Sequence, residues 1–167
     1  RVYEAAWRFI KRSSDAALLA GKQEMAAGIE SLCERAPQNL FEAMQTSIIY
    51  YVLQHMFEGT NLRTLGRLDS LLYPFYKSEN KAEGKAMLVD FLKEIDRLKA
   101  PSNIPFAIGG TNSAGNSLIN ELSYDIVDAY DVAQTNNTKL HVLYSQNTPE
   151  GIIEKALNCV RKGNNSI

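Results

Sequence analysis

Apolar positions along the chain recur mainly at three- and four-residue steps, and only two short runs depart from that period. Over about residues 3–35, Ala6, Phe9, Ile10, Ala17, Leu18, Ile29 and Leu32 keep the helical spacing. Gly21 and Gly28 weaken the middle, so the pattern predicts two helices or one long irregular one. The Arg35-Ala36-Pro37 step ends it, because a residue before proline avoids helical backbone. Asn39 stands where it can cap a next helix, residues 40 to about 57, which is apolar on most sides and therefore expected to be buried. Gly59, Asn61 and Gly66 break the chain, and a Leu- and Tyr-rich segment over 68–76 is expected to stop near Pro74. A polar loop around 78–84 leads into an amphipathic helix, about 85–98.

The two departures lie in the last third. Pro101 and Pro105 frame a turn before Phe106-Ala107-Ile108, an apolar run bounded by Gly109 and Gly110 that reads as a buried strand. A helix over about 117–134 follows, with Leu118, Leu122, Ile126 and Ala129 on one face, and then a second strand at 140–144, rich in branched residues. Thr148 is placed to cap a final helix, 149 to about 161, with Pro149 in the first turn and Gly163 as the stop. Strand, helix, strand, helix is the grammar of a parallel α/β sheet. Residues 1–100 are thus mainly helical and 101–167 form a βαβα segment, with no linker that separates two domains. Two parallel strands do not make a self-sufficient sheet. The chain is therefore expected to be an internal part of a larger domain, with residues 164–167 opening the next strand.

Composition narrows the function classes. With 45% hydrophobic and 22% charged residues the chain is that of a soluble globular protein. The net charge is −1 and the basic residues are scattered among acidic ones, so no basic stripe supports nucleic-acid binding. The longest apolar candidate, 47–57, is cut by Gln54 and His55 and is too short for a membrane span. Cys33 and Cys159 are far apart and the only histidines are His55 and His141, which gives a metal site no support. No secretory-signal pattern is visible within these residues, and the isolated cysteines make the reduced cytoplasm the expected location.

Several constellations carry candidate chemistry. Gly110 to Ser117 follows the phosphate-loop spacing except that Asn116 replaces the lysine, which favours a tight turn over a nucleotide site. Glu121, Asp125, Asp128 and Asp131 put carboxylates at helical spacing, which reads as a solvated acidic face. Arg63 and Arg67 flank Gly66, and Asp69 stands two residues after Arg67. An arginine on a glycine-marked turn presents a two-pronged donor to a carboxylate, and a neighbouring aspartate orients it or binds a hydroxyl. A structural Arg67–Asp69 pair predicts the same residues. No serine sits in a nucleophile elbow, and neither cysteine has a histidine partner in sequence.

Three segments read in order carry a resemblance: Asn39-Leu40-Phe41-Glu42-Ala43-Met44-Gln45, Leu65-Gly66-Arg67-Leu68-Asp69-Ser70-Leu71-Leu72-Tyr73-Pro74-Phe75-Tyr76, and Ile108-Gly109-Gly110-Thr111-Asn112-Ser113-Ala114-Gly115. Together with Asn120-Glu121-Leu122-Ser123-Tyr124 and Leu140-His141-Val142-Leu143-Tyr144-Ser145, they resemble successive landmarks of the pyruvate formate-lyase domain of glycyl radical enzymes, over essentially the whole chain.

The resemblance implies a helix-rich partial fragment of a ten-stranded α/β barrel, holding two or three of its short strands. It implies a cytoplasmic, oxygen-sensitive parent enzyme, a formate acetyltransferase or a related dehydratase or lyase, that cleaves a C–C, C–O or C–N bond of a small metabolite. The parent's glycyl radical would be installed by a radical SAM activating enzyme, and the rest of the barrel and a second copy, as a homodimer, would be its other partners. The radical glycine and cysteine would lie outside these residues, leaving Cys33 and Cys159 as packing residues and the chain inactive alone. Arg67 matches an arginine that binds the substrate carboxylate in pyruvate-cleaving members, with Asp69 beside it. Ser70 stands where many members have glutamine, and Leu143 where many have arginine, which leaves the substrate open. The rival expectations are a non-catalytic helical interaction domain and a nucleotide-binding module built on 110–117.

Overall fold

The computed structural model describes the chain except residues 60–62, 77–79, 99–102 and 165 and the side chain of Glu58. The expectations resting on Asn61, Ser78, Pro101 and Asn165 fall outside the described residues. The chain forms two compact units, 1–59 and 60–167.

The first unit is helical. The irregular first stretch resolves into α1 (Val2–Leu19) and α2 (Gln23–Ser31). They part at Gly21, whose φ of +74° suits glycine and lets Gly21 N–H and Lys22 N–H close back on Leu18 and Ala17 carbonyls. Helix α2 ends at Ser31, before the proline step expected to stop it, and turns fill 32–35. Helix α3 (Leu40–Glu58) starts where Asn39 Oδ1 accepts the Glu42 N–H at 2.9 Å and ends at Gly59 in left-handed backbone. The expected all-round burial of α3 is corrected: Leu40, Ala43, Met44 and Tyr51 are buried, whereas Tyr50, Met56 and Phe57 are exposed.

The second unit carries the α/β pattern. Helix α4 (Leu68–Tyr76) runs through Pro74 instead of stopping there. Proline suits the helical φ, and near a helix end its missing N–H forfeits a single bond. Helix α5 (Lys81–Arg97) begins earlier than expected because Asn80, not Lys85, marks its start: Asn80 Oδ1 accepts the Ala82 N–H at 3.1 Å. Strands β1 (Ile104–Gly109) and β2 (Thr138–Leu143) pair in parallel with Ile104 opposite Thr138 and Gly109 opposite Leu143.

Helix α6 (Glu121–Ala133) links them. It starts four residues later than the periodicity suggests, because Asn120 and Ser123 form a reciprocal capping box that fixes the first turn. Helix α7 (Glu150–Arg161) follows Pro149, and Thr148 is not its cap: the Thr148 hydroxyl accepts the Ser145 N–H instead, at 2.8 Å.

Ile104, Phe106, Ile108 and Leu140 fill one face of the strand pair, where they share a core with Leu68, Leu92, Leu122, Ile126 and Tyr130. Tyr130 is fully buried, stands edge-to-face with Phe106 at 6.0 Å, and donates its hydroxyl to the carbonyls of Thr138 (2.6 Å) and Ser166 (3.0 Å). Leu140 N–H also donates to Ser166 O at 3.0 Å, so the last residues run beside β2 where a next strand was expected to open. Among the described residues no helix is long and apolar enough to cross a membrane.

Candidate functional site

The segment before α4 lies along the free edge of β1. Leu65 N–H donates to Pro105 O at 2.9 Å and Ala107 N–H to Gly66 O at 2.8 Å, and Arg67 pairs with Ala107 in parallel. Gly66, at φ +74°, is the position that needs glycine as the chain leaves this edge for the helix. Residues paired across parallel strands point to the same face, so Arg67, Ala107 and His141 form one row and Gly109 with Leu143 the next. This is the face opposite the helix-covered core. Parallel sheets are ordinarily covered on both sides. Here Ala107 and Arg67 are half-buried and His141 and Leu143 exposed, so the open face carries a guanidinium and an imidazole. The sequence marks His141 only as one of two histidines that fail to support a metal site; its place in the Arg67 row follows from strand register, which single-residue patterning does not supply.

Arg67 Nη1 donates to Gly109 O at 3.3 Å. Its remaining N–H groups have no partner among the described residues. The guanidinium therefore sits at the C-terminal end of β1, the end at which open α/β sheets bind ligands, with most of its donors available.

Asp69 is placed differently from its neighbour. It is 1% exposed, and its Oδ2 accepts the Gly109 N–H and the Ser123 hydroxyl, both at 2.7 Å. Ser123 belongs to the α6 capping box, and Asn120 Nδ2 reaches the Asp69 carbonyl at 3.4 Å. Burial pushes the Asp69 carboxyl above its ordinary range; the hydrogen bonds from Ser123 and Gly109, and more weakly the charge of Arg67, pull the other way. Arg67 and Asp69 thus do not form the direct pair weighed from sequence. Both hold Gly109, Asp69 at its N–H and Arg67 at its carbonyl.

Other sequence candidates resolve as structure. In the 110–117 loop the Ala114 and Asn116 amides both donate to Asn112 Oδ1 at 3.0 Å, and Thr111 bridges Ser117. Amides already satisfied within the loop are not free to cradle a phosphate, and the helix starts at Glu121, not at the loop. The acidic face of α6 is not simply solvated, which corrects that expectation. Asp125 is buried, accepting the Tyr76 hydroxyl at 2.7 Å and Lys85 Nζ at 2.6 Å; Asp128 pairs with Lys155, and Asp131 with Lys162 at 2.5 Å. Flanking α5 and α7 bring these lysines in, which helix periodicity alone does not reveal. Cys159 is buried, with Sγ 3.4 Å from Lys155 O, and burial raises its pKa.

Comparison with known proteins agrees with this architecture. The pyruvate formate lyase-like family model matches residues 1–167, and the chain belongs to that family. It is 28% identical over 171 residues to the 4-hydroxyphenylacetate decarboxylase glycyl radical subunit of Clostridium scatologenes, covering 90% of this chain and 19% of that protein. It is 25% identical over 160 residues to trans-4-hydroxy-L-proline dehydratase of Clostridioides difficile, covering 81% of this chain and 20% of that protein. A glycyl radical enzyme from Archaeoglobus fulgidus shares the fold at a TM-score of 0.78 and 21% identity, over 98% of this chain and 25% of that one. The chain therefore spans about a fifth of the length of the curated relatives it matches. The family resemblance and the helix-rich α/β fold class are borne out.

Proposed function

We propose that these residues are an internal, substrate-anchoring part of one pyruvate formate-lyase-type domain in a longer glycyl radical lyase, inactive alone. Arg67 binds the carboxylate of a small metabolite, and Asp69 contributes to the same site from beneath by fixing Gly109. The observation that carries this reading is the half-buried Arg67 guanidinium at the C-terminal end of β1, tethered once among the described residues, on the sheet face opposite the second unit's helix-packed core. A glycyl radical on another segment, installed by a radical SAM activating enzyme, would supply the hydrogen-atom chemistry. Within these residues the work is binding and orientation. Loss of water or of carbon dioxide is favoured over acetyl transfer, because the named relatives are a decarboxylase and a dehydratase. The remaining barrel, a second copy and the activating enzyme are the proposed partners, in the cytoplasm.

The test is anaerobic activation of the full-length protein with its activating enzyme and S-adenosylmethionine, followed by electron paramagnetic resonance and a screen of small carboxylates. A glycyl radical signal with turnover of a carboxylate is expected. Failure to form any radical, or turnover restricted to uncharged substrates, overturns the proposal.

A further inference from the structure

Gly110 is where two side chains of opposite character meet. A Cβ on Gly110 would lie 3.4 Å from Leu143 Cδ1 and 3.6 Å from Arg67 Nη1, so both side chains stand within van der Waals reach of the same glycine. Gly110 holds a φ of +85° and donates its N–H to Leu143 O at 3.0 Å, which ties Leu143 to the same turn that Arg67 grips through Gly109. The glycine is flanked by one charged and one apolar side chain. Leu143 is 39% exposed. An exposed leucine alone carries no message; one placed against a glycine beside an available guanidinium does.

Charge on this sheet face is otherwise sparse. Lys139 lies four residues back along β2 and donates to Ser166 Oγ at 2.8 Å. His141 stands between, in the Arg67 row. Among the described residues of β1, β2 and the bridged segment on this face, Arg67 is thus the cation nearest the C-terminal end.

We infer that Leu143 sets the substrate class: the molecule anchored by Arg67 carries a single carboxylate, and the group next to it is apolar or aromatic. A second carboxylate laid against Leu143 loses hydration and gains no partner, whereas an apolar group there gains by leaving water. This inference rests on the reading of Arg67 as the carboxylate anchor.

The two claims separate in one set of titrations. In the full-length protein, calorimetric Kd values are measured for phenylacetate and for succinate, in the wild type and in Arg67→Gln, Leu143→Arg and Leu143→Gln. The wild type is expected to bind phenylacetate at least about tenfold tighter than succinate. Leu143→Arg should reverse that preference, and the smaller change Leu143→Gln should weaken phenylacetate about tenfold while leaving succinate unchanged. Equal wild-type affinities, no detectable phenylacetate binding, or a ratio unmoved by both Leu143 variants overturns the inference about Leu143. Arg67→Gln is expected to weaken both ligands; if it weakens neither, the Arg67 anchor itself falls.

Discussion

Asp69 Oδ2 accepts the Gly109 N–H at 2.7 Å across forty positions of sequence, joining the first turn of α4 to the last residue of β1. The same oxygen accepts the Ser123 hydroxyl, so one buried carboxylate fixes the start of α4, the end of β1 and the cap of α6. Removing it leaves two buried donors without a partner. Asp69→Ala is therefore expected to destabilise the second unit by about 2–4 kcal/mol, and Asp69→Asn, which keeps one acceptor oxygen, by roughly half of that. Denaturant unfolding followed by circular dichroism measures both.

Tyr130 tests the far edge of the strand pair. Its hydroxyl donates to Thr138 O and Ser166 O inside the core. Tyr130→Phe keeps the ring against Phe106 but strips both carbonyls of a donor, and a loss of about 1–3 kcal/mol is expected. Hydrogen exchange should report faster opening of the Leu140 amide, which bonds Ser166 O.

Gly84 gives a prediction opposite in sign to helix propensity. Alanine is favoured over glycine inside a helix by about 1 kcal/mol. At Gly84 a Cβ would stand 2.7 Å from Tyr76 Cε2, and Tyr76 is buried with its hydroxyl on Asp125. Gly84→Ala should therefore lower stability, by about 1–3 kcal/mol from overpacking, as read by thermal unfolding.

The first unit has an acid-sensitive pin. Arg35 donates to both Glu42 carboxylate oxygens, at 2.7 and 2.8 Å, and the Gln38 N–H adds a third bond. The Arg35 contact is the main reason the Glu42 carboxyl drops from its ordinary 4.5 to about 2. A lowered folded-state pKa stabilises the fold above the unfolded value and loses that effect as pH falls. The stability difference between wild type and Glu42→Gln should therefore be constant above about pH 5 and shrink between 4.5 and about 2. A difference that grows on acidification contradicts this pairing.

The caps and breaks that depend on one residue were the most legible parts of the sequence. Asn39 starts α3 and Gly59 ends it through local geometry alone, and the βαβ order follows from apolar periodicity. Less legible were boundaries decided by competition. Ser117 and Leu118 fit the helical period and so draw the α6 start too early, while the Asn120–Ser123 box and the Thr111–Ser117 bridge set the true boundary. Pro74 reads as a stop by local preference, yet α4 carries it in its last turn at the loss of one backbone bond, to the Ser70 carbonyl.

The site was half legible. Gly66-Arg67 stood out as glycine followed by a fork-shaped donor. The positions of His141 and Leu143 depend on register, and that of Ser123 on a contact spanning more than 50 residues, to Asp69. Sequence spacing places Asp69 beside Arg67. The fold turns it inward toward Gly109 and Ser123.

The most direct measurement is kcat/KM for Arg67→Gln in the full-length, radical-bearing protein, with the glycyl radical counted by electron paramagnetic resonance in the same samples. A lost charge-assisted carboxylate contact of about 1.5–3 kcal/mol predicts wild-type radical content with kcat/KM lowered roughly ten- to hundredfold, mainly through KM. Wild-type radical content with kcat/KM within about twofold of the parent would contradict Arg67 as the substrate anchor.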